Sequence, residues 1–216
     1  AGTKSTEAVI TISGGTIGEA IGNDGGAGIG GGAGQRGHVE ISGGTIKKAE
    51  GKNGGAGIGG GNKGSATVKI SNGTIGSWDS YTHTAKESDG AFGSGGAAIG
   101  GGEGASGDTT VTILEGHIYK AEGRDGGAGI GGGKNSSGAA NVNISSGEVH
   151  ASTGSGNGGA AIGGVWLKDT KNIIIEGYAT VNASAGGSSA GIGGGGRASK
   201  SGDAENIIIR GHSKVT

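Results

Sequence analysis

The chain has 216 residues, 60 of them glycine, with no proline, cysteine or methionine and a formal net charge of −1. Near-neutrality gives no general attraction to nucleic acid or to an anionic membrane surface, lack of cysteine removes disulfides and thiol chemistry, and no apolar run is long enough to span a bilayer. Glycine at this level in a random mixture would signal disorder, and collagen is excluded because glycine does not fall at every third residue.

Residues 1–9 read as a short lead-in. Two blocks then alternate along the chain. The first reads ITISGGTI at 10–17, VEISGGTI at 39–46, VKISNGTI at 68–75, VTILEGHI at 111–118 and VNISSGEV at 142–149. The second reads GGAGIGGG at 25–32, 54–61 and 126–133, GGAAIGGG at 95–102, GGAAIGG at 158–164 and SAGIGGGG at 189–196. Steps between the isoleucines of the second block (Ile29, Ile58, Ile99, Ile130, Ile162, Ile192) are 29, 41, 31, 32 and 30 residues. Steps between Ile12, Ile41, Ile70, Ile113, Ile144, Ile175 and Ile209 are 29, 29, 43, 31, 31 and 34. Two markers with one period and one shared long step predict stacked units with a single insertion in the third.

Within a unit the apolar spacing is two. Pairs such as Val39/Ile41 and Val111/Ile113 flank polar Glu40 and Thr112, the pattern of a half-buried strand rich in β-branched residues. After a Gly-Gly or Asn-Gly turn, a second strand carries Ile17, Ile46, Ile75, Ile118, Val149, Val181 and Val215, and the Gly block is the third. The expectation is an all-β, parallel β-solenoid of three short strands per coil and six to seven coils, one domain over 1–216, with an insert at 76–94 and an incomplete last coil at 207–216. Seven layers at ~4.8 Å give a rod of about 30 Å. The Gly block is expected to place an Ala ladder (Ala27, Ala56, Ala97, Ala128, Ala160, Ala190) inside and to leave a smooth outer face. A chain without methionine is expected to be an excised or processed piece, with open solenoid ends available for head-to-tail contacts.

The pattern I-S-G-G-T-[IV]-x-A-x-G-x-[ND]-G-G-A-G-I-G-G-G, clearest at 12–32, 41–61 and 113–133, resembles the Gly-rich right-handed parallel β-helix repeats of large bacterial cell-surface proteins. The last two coils depart from it: IEGYATV and IRGHSKV each carry one extra corner residue. The resemblance implies a stalk, adhesin or carbohydrate-binding module outside the cell, and it brings no catalytic motif.

Candidate sites follow from the aromatic and titratable residues. The insert concentrates Trp78, Tyr81, His83 and Phe92 in a chain with only six Phe, Trp and Tyr residues. Such rings stack on sugar faces or anchor protein partners; the plainer reading is that Trp78 and Phe92 pack the loop onto the rod. Trp166 follows the fifth Gly block, and with Trp78 it is expected to flank the Gly face as a shallow trough, unless it tucks under a loop. On the second strand, stacking is expected to bring His117 to Glu148 and Tyr119 to His150, a polar patch with the residue types for metal or acid–base work but more simply an exposed ladder with one cross-coil ion pair. Asp24, Asn53, Asp125 and Asn157, with Ser94 in coil three, form a column before the Gly block. It reads as a turn ladder, with calcium as the alternative. The outward carboxylates Glu40, Glu115, Glu148 and Glu176 are scattered, and no nucleophile elbow, P-loop or zinc signature is present.

These readings converge on a non-enzymatic extracellular module at a bacterial cell surface that adheres through carbohydrate, its partner being a glycan or a host or cell-surface molecule. No metal, cofactor, nucleic acid or membrane insertion is expected. The alternatives are a purely structural spacer, a glycan-active enzyme fragment, and an ice-binding surface built on Thr16, Thr45 and Thr74.

Overall fold

The computed structural model describes residues 6–82, 84–154, 158–165, 170–197 and 200–216. Among these there is no helix. The chain winds through coils that begin at the strands starting with Glu7, Arg36, Ala66, Thr109, Ala140, Thr170 and Ile207, hereafter coils one to seven. Every pairing between coils is parallel; the antiparallel ladders are local hairpins within a coil.

Stacking is in register along the whole rod. On the first-strand wall, Ile10, Val39, Val68, Val111, Val142, Ile173 and Ile207 form one column, and Ile12, Ile41, Ile70, Ile113, Ile144, Ile175 and Ile209 another. On the second-strand wall the column is Ile17, Ile46, Ile75, Ile118, Val149, Val181 and Val215. The third wall stacks Ile29, Ile58, Ile99, Ile130, Ile162 and Ile192. Apart from Ile207 and Ile209, which are exposed, these columns meet in one continuous core. Each isoleucine removed from water contributes roughly 1.5–3 kcal/mol.

The structure corrects the expected alanine ladder. The alanines heading the Gly blocks (Ala56, Ala97, Ala128, Ala160) are buried but lie outside the central core cluster. The alanine column that packs in the core runs along the second strand instead: Ala20, Ala49, Ala91, Ala121, Ala151 and Ala183. In coils one, two and four, two residues separate this alanine from the corner isoleucine (Gly18–Glu19, Lys47–Lys48, Tyr119–Lys120), and in coils five and six only one separates it from the corner valine (His150, Asn182). The register shift between Ile118 and Ala121 absorbs the difference as a bulge.

The third strand is shorter than expected. It is a two-residue Ile-Gly rung inside a tight chain reversal. The reversal is closed by a repeated bond in which the block's alanine N–H donates to the carbonyl four residues on: Ala56 to Gly60 at 3.0 Å, Ala97 to Gly101 at 2.9 Å, Ala128 to Gly132 at 3.0 Å. The expected smooth, open glycine face is absent: residues 54–61, 95–102 and 126–133 are buried throughout. Glycine is required here for close approach. Gly30, Gly59, Gly100, Gly131, Gly163 and Gly193 hold φ between 129 and 143°. A Cβ on Gly59, Gly100 or Gly131 would stand 2.1 Å from the carbonyl oxygen of the equivalent glycine in the next coil. No side chain fits at that distance, and the φ is one that L residues avoid.

Replacing Gly131 by Ala is therefore expected to destabilise the rod by more than about 3 kcal/mol, measured by urea unfolding. Gly14→Ala, where an added Cβ meets nothing within 4 Å, is expected to change stability by less than about 0.5 kcal/mol.

Candidate functional site

The insert begins and ends at the bulge of the second strand. Ile75 pairs with Ile46 and Ile118, and the chain rejoins the wall at Gly90, opposite Lys48. The excursion is thus residues 77–89, shorter than the 76–94 expected from sequence. Gly90–Ser94 is ordinary second strand, with Ala91 in the core column and Phe92 between Glu50 and Glu122 on the outer side.

Phe92 is consequently not part of the loop. Its ring points outward yet is only 2% exposed, because two long cationic side chains roof it. The Arg124 guanidinium lies 4.4 Å and the Lys120 ammonium 5.7 Å from the ring centroid. Both cations belong to a chain of ion pairs along the wall. Lys48 Nζ reaches Glu19 at 2.9 Å and Glu50 at 3.0 Å, and Arg124 Nε reaches Glu122 at 2.7 Å. Lys120 Nζ reaches Glu122 at 3.2 Å and Glu87 of the insert at 2.8 Å. The cationic heads thus lie over the ring while they pair with the glutamates. The hydrogen bonds that Lys48 donates to Glu19 and Glu50 hold its ammonium above the ordinary lysine range.

The insert folds as a small hairpin, Trp78–Asp79 against Thr84–Ala85. Asp79 Oδ1 accepts the backbone N–H groups of Tyr81 at 2.8 Å and Thr82 at 3.2 Å, which fixes the turn. These bonds, with Thr82's the stronger cause, pull the Asp79 carboxyl below its usual range. At the hairpin base the Ser77 hydroxyl donates to Asp89, and that bond lowers the Asp89 carboxyl.

Both rings of the hairpin are exposed, Trp78 by 41% and Tyr81, at the tip, by 92%. Trp78 lies against Tyr119, centroids 5.7 Å apart and tilted 41°, and Tyr119 lies 5.8 Å from the His117 ring. Three rings thus line one outer face of the second-strand wall. A groove of about 500 Å³ opens beside them, lined by residues including Tyr119, Lys120, Glu122, His150 and Asn182.

Several expected juxtapositions change. His117 does stack on Glu148 in register, but the ion pair forms within one strand, Glu148 Oε1 to His150 Nε2 at 2.9 Å. His117 turns its ring to Tyr119 instead. Trp78 lies against Tyr119 on the second-strand wall and the central Gly blocks are buried, so Trp78 does not border an open glycine face. Trp166, His83 and Asn157 lie outside the described residues. Thr16, Thr45, Thr74, His117, Glu148, Thr180 and Lys214 stack in one column, so the threonine row stops after three layers. Asp24, Asn53 and Asp125 hold φ of 51 to 53°, the left-handed turn conformation. Ser94 is not in their column: it pairs with Arg124, and its hydroxyl donates to Asp125 Oδ2 at 2.6 Å. Among the described residues no group of three or more His, Asp or Glu is placed to hold a metal ion.

Two features escaped the sequence reading. The charged roof over Phe92 needed the true end of the insert. The pair Tyr178 and His212, stacked at 5.1 Å and 8°, occupies the extra corner residues of coils six and seven, a departure visible in sequence but with no evident consequence there.

Burial alone would raise Glu122, but hydrogen bonds and charge from Arg124 and Lys120 outweigh it and hold the carboxyl below its ordinary value of 4.5. Asp89 likewise lies below 3.8. Groups depressed in the folded state stabilise it above their unfolded values and lose that contribution as pH falls through the folded ones. The hairpin is expected to loosen from the wall only as pH falls below 3.8, through the depressed folded values of both carboxylates. Trp78 fluorescence in a Trp166→Phe background should red-shift before global unfolding. Lys120→Ala, which uncovers Phe92 and releases Glu87, is expected to lower stability by about 1–2 kcal/mol in a urea melt.

Comparison with known families gives a match to the β-helix repeat at residues 10–33, 39–62, 111–134, 142–164 and 173–196. Coil three, which carries the insert, and coil seven, which begins at Ile207, are unmatched. Searches of curated proteins and of solved structures gave no significant match.

Proposed function

The chain belongs to the β-helix repeat family, and from the aromatic face on that scaffold we propose that it is a non-enzymatic carbohydrate-binding module of a bacterial surface protein, acting in adhesion outside the cell. The observation that carries this reading is the row Trp78–Tyr119–His117, with Trp78 and the hairpin-tip Tyr81 exposed. A ring half covered by a second ring has a fixed orientation and one free face, which is what stacking on a sugar requires. A spacer gains nothing from holding rings in solvent at the end of a pinned hairpin, and a loop that merely packed onto the rod would bury them.

Polar groups beside the rings fit hydroxyl recognition. His150, Glu148 and Asn182 stand on neighbouring coils at the strand spacing, and a rigid wall costs little ordering on binding. The carboxylates on this face are engaged, Glu122 by Arg124 and Lys120 and Glu148 by His150, and the groove is open to solvent. That favours binding over general acid–base catalysis, which needs carboxyl groups in a desolvated site.

A glycan-array screen tests the proposal. The native chain is expected to bind one or more glycans, and Trp78→Ala and Tyr119→Ala variants that still fold are expected to lose at least tenfold in affinity. Absence of binding across a broad array, or binding untouched by both substitutions, would defeat the reading and return weight to a spacer.

A further inference from the structure

A second groove lies at the corner between the first and second strands. It holds about 520 Å³ and crosses four coils, from Asn72 through Glu115 and His117, then Ser146 and Glu148, to Tyr178 and Thr180. Four layers span roughly 14 Å at the strand spacing, long enough for an oligosaccharide rather than one sugar. Its far end is closed by the Tyr178–His212 stack. The extra residue in each of these two corners, after left-handed Gly177 and Gly211 (φ 66 and 78°), carries the rings outward. Tyr178 is 73% exposed, yet its ring is held nearly parallel to the His212 ring. The corner is further fixed by Arg210 Nε on Glu176 Oε2 at 2.8 Å. His117 and Glu148 belong to this groove and also touch the first, through Tyr119 and His150.

Charge defines what fits. The corner groove presents two carboxylates, Glu115 and Glu148, and among the described residues neither lysine nor arginine lines it. In the neighbouring groove the one lysine or arginine among the described lining residues, Lys120, is held by Glu87 and Glu122. An anionic sugar chain would meet like charge with no cation to pair with its acid groups, whereas carboxylate and amide oxygens accept hydrogen bonds from neutral hydroxyls.

Resting on the carbohydrate-binding reading above, we infer that the corner groove is a second subsite, with Tyr178 as its stacking platform, and that the two grooves together take an extended uncharged glycan and discriminate against polyuronates.

Isothermal titration calorimetry tests this with neutral hexasaccharides (cello-, N-acetylchito-, manno- and xylo-hexaose), the corresponding trisaccharides, and a hexagalacturonate. At least one neutral hexasaccharide is expected to bind about tenfold more tightly than its trisaccharide, and the hexagalacturonate at least tenfold more weakly. Tyr178→Ala and, independently, His212→Ala are expected to abolish the gain with length while leaving trisaccharide affinity within twofold. A hexagalacturonate bound as tightly as the neutral chain overturns the ligand class. Length dependence that survives both substitutions, with binding still lost in Trp78→Ala, overturns the corner subsite and leaves the first reading standing. No binding by any oligosaccharide overturns both.

Discussion

Everything in this molecule depends on layers stacking in register at a distance that only glycine permits on one wall. From Gly30 to Gly163, the Ile-Gly rung places each rung glycine against the carbonyl of its counterpart in the next coil. A side chain there would separate the coils locally and pull the isoleucine columns apart. The glycine content is therefore a packing requirement rather than a sign of flexibility. With the reversals closed by backbone bonds from alanine to the carbonyl four residues on, little side-chain volume is needed on that wall, and the core reduces to Ile, Val and Ala columns.

That regularity makes the irregularities informative. The second strand tolerates either one or two residues between its corner aliphatic and its core alanine, and this elastic point is where the insert enters. Growth at a bulge disturbs no core column, because Ile75 and Ala91 keep their places above and below. The corners of coils six and seven lengthen by one residue for the same reason, outside the core, and each addition carries an aromatic ring. The departures from the repeat are thus the places where rings reach solvent, which is the physical basis for locating function there.

Much of the fold was legible in the sequence because a column of identical residues forces its own register. The aliphatic columns on all three walls needed only the period and the spacing of two. The core alanine ladder was misplaced because alanine occurs both in the Gly block and after the second strand, and composition does not say which faces inward. The Gly face was misread as open because a run of glycine looks the same whether it lies in solvent or under backbone carbonyls 2 Å from where a Cβ would stand. At the site, the His117–Glu148 register was readable, but Glu148 prefers His150 on its own strand, a choice of side-chain rotamer with no trace in the sequence. The placement of Phe92 required knowing that Gly90 resumes the wall, and the Phe92–Arg124–Lys120 roof follows only from that.

The functional account rests on one surface, the outer face of the second-strand wall where the rings Trp78, Tyr119 and His117 adjoin Glu148 and His150. Heteronuclear NMR of the labelled chain, titrated with a mixture of neutral hexasaccharides, examines that surface directly. The account predicts shift changes concentrated on the Trp78 indole N–H and on backbone amides from His117 to Lys120 and Glu148 to His150, with the Gly-block and first-strand walls unmoved. Perturbations centred on either of those other walls, or none at saturating sugar, would contradict it.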